Sequence, residues 1–164
     1  MVFSYKQFQE SPSVIFEKDD ISFTCPKGWS ITDEDNLDGI GYYLSIEKDG
    51  FDSSGLMTVS WLYETVNPDD LILAYQEDMQ ENVIYKHSNL VFDPTFENKF
   101  QHYTVKSTRY QVTIVGIKHQ GIISAVNYGD QTFGILKQGA TEDVVINKKG
   151  FEMIESSFRI KEIQ

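Results

Sequence analysis

The chain has 164 residues, 40% of them hydrophobic and 13% aromatic, which suits one domain with a full-sized core and excludes a disordered chain. The formal net charge of -11 argues against nucleic acid, whose phosphates need clustered Lys and Arg, and against an anionic membrane surface. It leaves a basic protein partner open, although acidity also serves plain solubility.

A single cysteine excludes an intramolecular disulfide, which fits a reducing compartment or an exported protein large enough to need no staple. Met1 to Phe8 carries no apolar signal core, and no apolar run is long enough to span a membrane. The expectation is a cytoplasmic protein if Met1 is its natural start, and an exported one if a leader has been trimmed.

Residues 1–13 read as an arm ahead of one domain over 14–164, with a short edge strand near Val14 to Phe16 as the alternative for its end. Ile21-Ser-Phe-Thr-Cys25 alternates as a strand with Ile21, Phe23 and Cys25 on one face; Pro26 ends it, Lys27-Gly28 turns, and Trp29 pins the turn to a core. Thr32 to Asp38 reads as an acidic loop. Gly41 to Glu47 and Leu56 to Tyr63 alternate around the turn chemistry of Lys48 to Gly55 and predict a hairpin.

Asn67-Pro68-Asp-Asp70 is a helix start, followed by a stripe of Leu71, Tyr75, Met79 and Val83. Asn89 to Phe92 suits a short strand. From Gln101 to Gln138 the pattern predicts a three-stranded antiparallel meander, turning at Gly116 (Gln120-Gly121 being the alternative) and at Gly129-Asp130. Apolar groups on both faces of Ile122 to Tyr128 imply a sheet covered on both sides. A closing helix carries Phe151, Ile154 and Phe158, with Asn147 as N-cap or a start nearer Thr141. Gly150 would weaken its first turn by about 1 kcal/mol relative to Ala. The fold class is therefore α+β, an antiparallel sheet flanked by helices near 68–83 and 147–158, one on each face.

No residues line up for catalysis, cofactor or metal. His87, His102 and His119 lack the close spacing of a zinc site, though the last two fall on adjacent predicted strands. Glu34, Asn36, Asp38 and Gly39 match part of a calcium loop, but Ser45 stands where its twelfth-position Glu belongs. Cys25 reads as buried and unreactive beside one cation, Lys27, and Gly39-x-Gly41 is no dinucleotide loop. Most of the aromatics, Tyr42, Tyr43, Phe51, Trp61, Tyr63, Tyr103, Tyr110 and Tyr128, suit the core or cross-strand pairs, and some suit a peptide groove.

Cys25-Pro-Lys-Gly-Trp29 resembles the "strand, Pro, x, Gly, Trp" opening of the PsbP-like superfamily, and Phe151-x-x-Ile154-x-x-Ser157-Phe158-Arg159 resembles its closing helix. The resemblance, over about residues 14 to 160, implies an α/β/α sandwich. It also implies a bacterial accessory role that binds rather than catalyses: superfamily members include a photosystem II subunit, a Ran-binding transport factor, lipoproteins and secretion-effector chaperones. No binding residue carries over. The reading is a non-catalytic binding domain for a protein or peptide, with no cofactor, nucleic acid or membrane insertion. The alternative is a small-ligand or metal-binding protein. A concave apolar cleft with convergent polar groups would favour a small ligand, and a flat exposed aromatic patch a protein partner.

Overall fold

A computed structural model describes residues 10–50 and 54–161. Most of the expected arm and Phe51 lie outside the described residues. The chain runs β1 (Val14–Lys18), β2 (Ile21–Cys25), β3 (Trp29–Asn36), β4 (Gly41–Lys48), β5 (Leu56–Leu62), α1 (Pro68–Glu81), β6 (Val91–Phe92), β7 (Phe96–Phe100), β8 (Tyr103–Ile114), β9 (Ile117–Tyr128), β10 (Gln131–Ala140), one 3-10 turn (Thr141–Asp143), α2 (Val144–Ser157) and β11 (Arg159–Ile160). The fold is α+β: mostly antiparallel sheet with two helices. The larger sheet has the order β3-β4-β5-β10-β9-β8-β6, with β7 also on β8, and the smaller one has the order β1-β2-β11.

The meander forms as expected, with turns at Val115-Gly116 and Gly129-Asp130. Thr32 to Asp38 does not: its residues through Asn36 are an edge strand on β4, not a loop. Its five carboxyl-rich terminal residues are all exposed, so no buried face imposes alternation, and composition imitates a loop.

Helix α1 begins as its residues dictate. Asn67 Oδ1 accepts the Asp69 N–H at 3.0 Å, and Pro68 occupies the first turn. The buried stripe is Ile72 and Met79, while Val83 lies past the helix end in the solvent. Helix α2 takes the earlier of its two expected starts, a 3-10 turn at Thr141–Asp143 leading into Val144. Asn147 lies inside it and is buried rather than capping it. Gly150 is there for shape: a Cβ would stand 2.3 Å from Trp29 Cε2, so only glycine lets the indole lie against the helix.

Side chains of the larger sheet alternate between two apolar clusters. Met57, Val59, Trp61, Phe133 and Ile135 join Ile21, Phe23, Cys25, Trp29, Ile154 and Phe158 in one; Tyr110, Val112, Ile123, Ala125 and Leu136 join Ile72 and Met79 in the other. The smaller sheet is tied on at both ends. The Thr24 N–H donates to Ser157 Oγ at 2.8 Å, and Asp19 accepts Trp61 Nε1–H at 2.8 Å and the Tyr63 hydroxyl at 3.1 Å.

Candidate functional site

Two rows of residues cross the sheet beside α2. Arg109, Ile122 and Lys137 stand abreast on β8, β9 and β10, and Gln111, Gln120 and Gly139 stand abreast one pleat further on. Steps of two along each strand place both rows on one face. Helix α2 runs along them with Val144, Asn147, Phe151 and Glu155, at the spacing that keeps one helical stripe. Between helix and sheet lies an open cleft of about 460 Å³.

Its depth comes from missing side chains. At Gly139 a Cβ would meet Asn147 Nδ2 at 2.6 Å, and at Gly55 it would meet Asn147 Oδ1 at 2.8 Å, so the Asn147 amide is wedged between two glycines. On the opposite face of the sheet, at Gly121, the Tyr110 ring takes the space a Cβ would need, 2.2 Å from Cζ. Tyr110 then donates to Gln138 Oε1 at 2.8 Å, joined by Tyr85 at 3.1 Å. Burial pushes the Tyr110 phenol well above its ordinary pKa, so it stays a neutral donor on the α1 side of the sheet, behind the cleft.

Asn147 is buried, and neither polar atom of its amide has a hydrogen-bond partner. Such a group is a standing cost, because desolvating an amide without a partner is unfavourable. Charges converge on the same cleft. Lys137 pairs with Glu155 and reaches toward the Phe151 ring, 5.8 Å from its centroid; Arg109 lies over Phe96 at 4.3 Å. The cleft can therefore present amide, cationic and aromatic surface together. Among the described residues its lining holds no Ser, Thr, Cys or His.

The residues singled out from sequence lie elsewhere. His119 pairs with Val112 on β8, while His102 precedes Tyr103 at the strand's other end, about 30 Å away along the strand. His87 lies in the turn after α1, and no three metal-ligating side chains cluster among the described residues. The would-be calcium loop is a strand and turn whose Glu34 accepts the Tyr42 hydroxyl at 2.7 Å and whose Asn36 accepts the Gly39 N–H at 2.6 Å. Cys25 is buried and donates to the Trp29 carbonyl; burial, then the Asp49 carboxylate, pushes its thiol up to about 11. Sequence reasoning missed the cleft because it depends on strand register and on what Gly55 and Gly139 lack. The one signal available was a polar residue, Asn147, inside an apolar helical stripe.

No family model and no curated protein matches the sequence. Among solved structures, the solution structure of cyanobacterial PsbP (CyanoP) from Synechocystis sp. PCC 6803 is similar, with a TM-score of 0.60 and 11% identity over 98% of this chain and 98% of that chain. The likeness extends over both sheets and both helices, and it is one of shape: the chain has a PsbP-like fold.

Proposed function

We propose that residues 14–164 form a single, non-catalytic accessory domain of bacterial type that binds a protein or peptide segment in the cleft between α2 and strands β8 to β10. The observation that carries the reading is the Asn147 amide, buried beside the cleft with both polar atoms unpaired. A carboxamide offers N–H donors and a carbonyl acceptor side by side, the complement of a peptide group. Phe151 supplies apolar surface beside it, and Arg109 and Lys137 supply charge. Taking the fold as a sandwich with one helix on each sheet face is part of the same reading, supported by the two separate clusters that Ile72 and Ile154 enter.

A second reading has its own support. The cleft is concave and of ligand size, and Tyr63 is the one aromatic among the large hydrophobic side chains exposed in the described residues. Both features favour a small ligand over a flat protein interface. One experiment separates the two. Amide-resolved NMR titration with a pool of N-acetylated, C-amidated tetrapeptides should shift resonances of Gln120, Gly139, Asn147 and Phe151, and Asn147→Leu should abolish the shifts. Shifts with a small-metabolite pool instead would favour the second reading, and shifts elsewhere on the surface would refute the cleft.

A further inference from the structure

The β8–β9 hairpin ends in a turn that sequence and geometry disfavour. Val115 and Gly116 both have positive φ, 49° and 79°. Glycine, asparagine or aspartate suits such a turn, and a β-branched residue there is strained. Nothing packs on Val115 to account for it: the residue is 95% exposed. An apolar side chain held in a strained turn and given to solvent points to a function outside the fold.

Two other segments bring exposed aliphatics to the same corner. The turn after α1 is fastened beside the hairpin tip, because the Thr113 N–H donates to the Ser88 carbonyl at 2.7 Å and Ser88 Oγ donates to the Ile84 carbonyl at 2.6 Å. It presents Val83 and Ile84. On the other side, Ala140 pairs with His119, two residues from Ile117, and the chain then enters α2 with Val145 and Ile146 exposed. Val83 and Val145 are 82% and 83% exposed. Lys86, Lys118, Lys148 and Lys149, all exposed, stand among them, against Glu81, Glu142 and Asp143.

Charge at the opposite end has the other sign. The turns after β1, β3 and β9 and the start of α1 lie there, as the Gly41–Leu62 and Leu62–Thr132 pairs and the Trp61–Asp19 bond require. They carry Asp19, Asp35, Asp38, Asp69, Asp70 and Asp130, all exposed. A net charge of -11 thus conceals a polarised molecule with an apolar, lysine-bearing corner and an acidic far end.

We infer that this corner docks on an anionic lipid surface, with Val115 leading, the flanking aliphatics entering the headgroup boundary and the four lysines facing lipid phosphates. The lysines complement the charge of such a surface, and the field of the whole molecule turns the corner toward it. The aliphatics project from three separate turns and helix ends and form no groove. Segments 83–88, 113–119 and 141–149 expose no Trp, Tyr or Arg, the residues that anchor protein interfaces. The inference does not depend on the cleft.

Sedimentation with vesicles tests it. The protein should bind vesicles of equimolar phosphatidylglycerol and phosphatidylcholine at low salt, should ignore phosphatidylcholine alone, and should be released by high salt. Combined Lys118→Gln, Lys148→Gln and Lys149→Gln should lower the bound fraction several-fold with an unchanged thermal melt. Val115→Asn, which suits the turn, should raise the melting temperature and still weaken binding, an outcome that loss of folding cannot mimic. No binding to the anionic vesicles, or binding indifferent to the lysine changes, overturns the inference. Protection of the same lysines from amine labelling by an acidic amphipathic peptide, with the vesicles ignored, also overturns it in favour of a protein partner.

Discussion

The cluster around Trp29 and the cluster beneath α1 are built on the same sheet but are held by different forces. The first gathers 15 buried residues, from Ile21 to Phe158, and is joined by rings: Phe16 on Phe23 at 5.0 Å, Phe23 to Phe158 at 6.5 Å, Phe100 to Phe158 at 5.5 Å and Trp29 to Phe151 at 5.3 Å. The second has seven, and phenols fasten it: Tyr75 with Ser60 at 2.6 Å, and Tyr110 and Tyr85 on Gln138. Packing of rings is sensitive to volume, and buried hydrogen bonds are sensitive to single atoms. The two regions should therefore fail under different substitutions and at opposite ends of the pH scale.

The largest effect should come from Trp29→Ala, which empties the contact with Gly150, Gly55 and Phe151 and should cost about 3–5 kcal/mol by denaturant titration. Asp35→Ala, on the exposed edge strand, is the control and should cost about 0.5 kcal/mol or less. Equal midpoints for the two variants would show that Trp29 is not part of the core. Gly150→Ala approaches the same contact from the helix. Its Cβ meets a rigid ring, so about 1–3 kcal/mol should be lost despite alanine's better helix propensity. Combining it with Trp29→Leu should cost less than the sum of the two, because the smaller side chain makes room.

On the other side, Tyr110→Phe removes one hydrogen bond while Gln138 keeps Tyr85, so the loss should be about 1 kcal/mol. Alkali should strike this cluster. Burial raises the Tyr75 phenol to about 12. A raised folded pKa means its contribution is complete below the unfolded value of about 10 and is lost as pH rises through about 12. Phenolate absorbance followed with melting should show the two events together, and Tyr75→Phe should uncouple them. Acid should strike near Trp29, with the smallest effect. Burial opposes ionisation of Asp49, but hydrogen bonds from Ser30 and from Ser11 prevail and lower its pKa. Its contribution is present above about pH 4 and disappears as pH falls through the folded value. Asp49→Asn should flatten that acid limb of the stability curve, and an unchanged limb would show that Asp49 does not set it.

How much of this was legible follows the same division. Local chemistry announced the meander turns, the Asn67-Pro68 helix start and the anchoring of Trp29, because each depends on neighbouring residues. Residues 32–36 of edge strand β3 were not legible, since a stretch exposed at every residue carries no alternation. Gly150 looked like a helix defect until Trp29 was seen against it, and Asn147 looked like a cap until the helix was seen to begin before it. The cleft depends on Arg109, Ile122 and Lys137 standing abreast, a product of register across three strands that no linear pattern records.

The pairing of Arg159 with Ser22 sets a condition on biosynthesis. Strand β2 leaves the ribosome before the larger sheet, and β11 follows after α2. At about 5–20 residues per second the interval is roughly seven to thirty seconds. Throughout it, Ile21 and Phe23 lack the helix and strand that later cover them, while the hairpins of the larger sheet can already form. Contacts this distant in sequence also slow folding after release. The nascent chain thus carries an uncovered apolar edge from the emergence of β2 until that of β11. A ribosome-associated chaperone that holds β2 through that interval should raise soluble yield more than one acting after β11 has emerged.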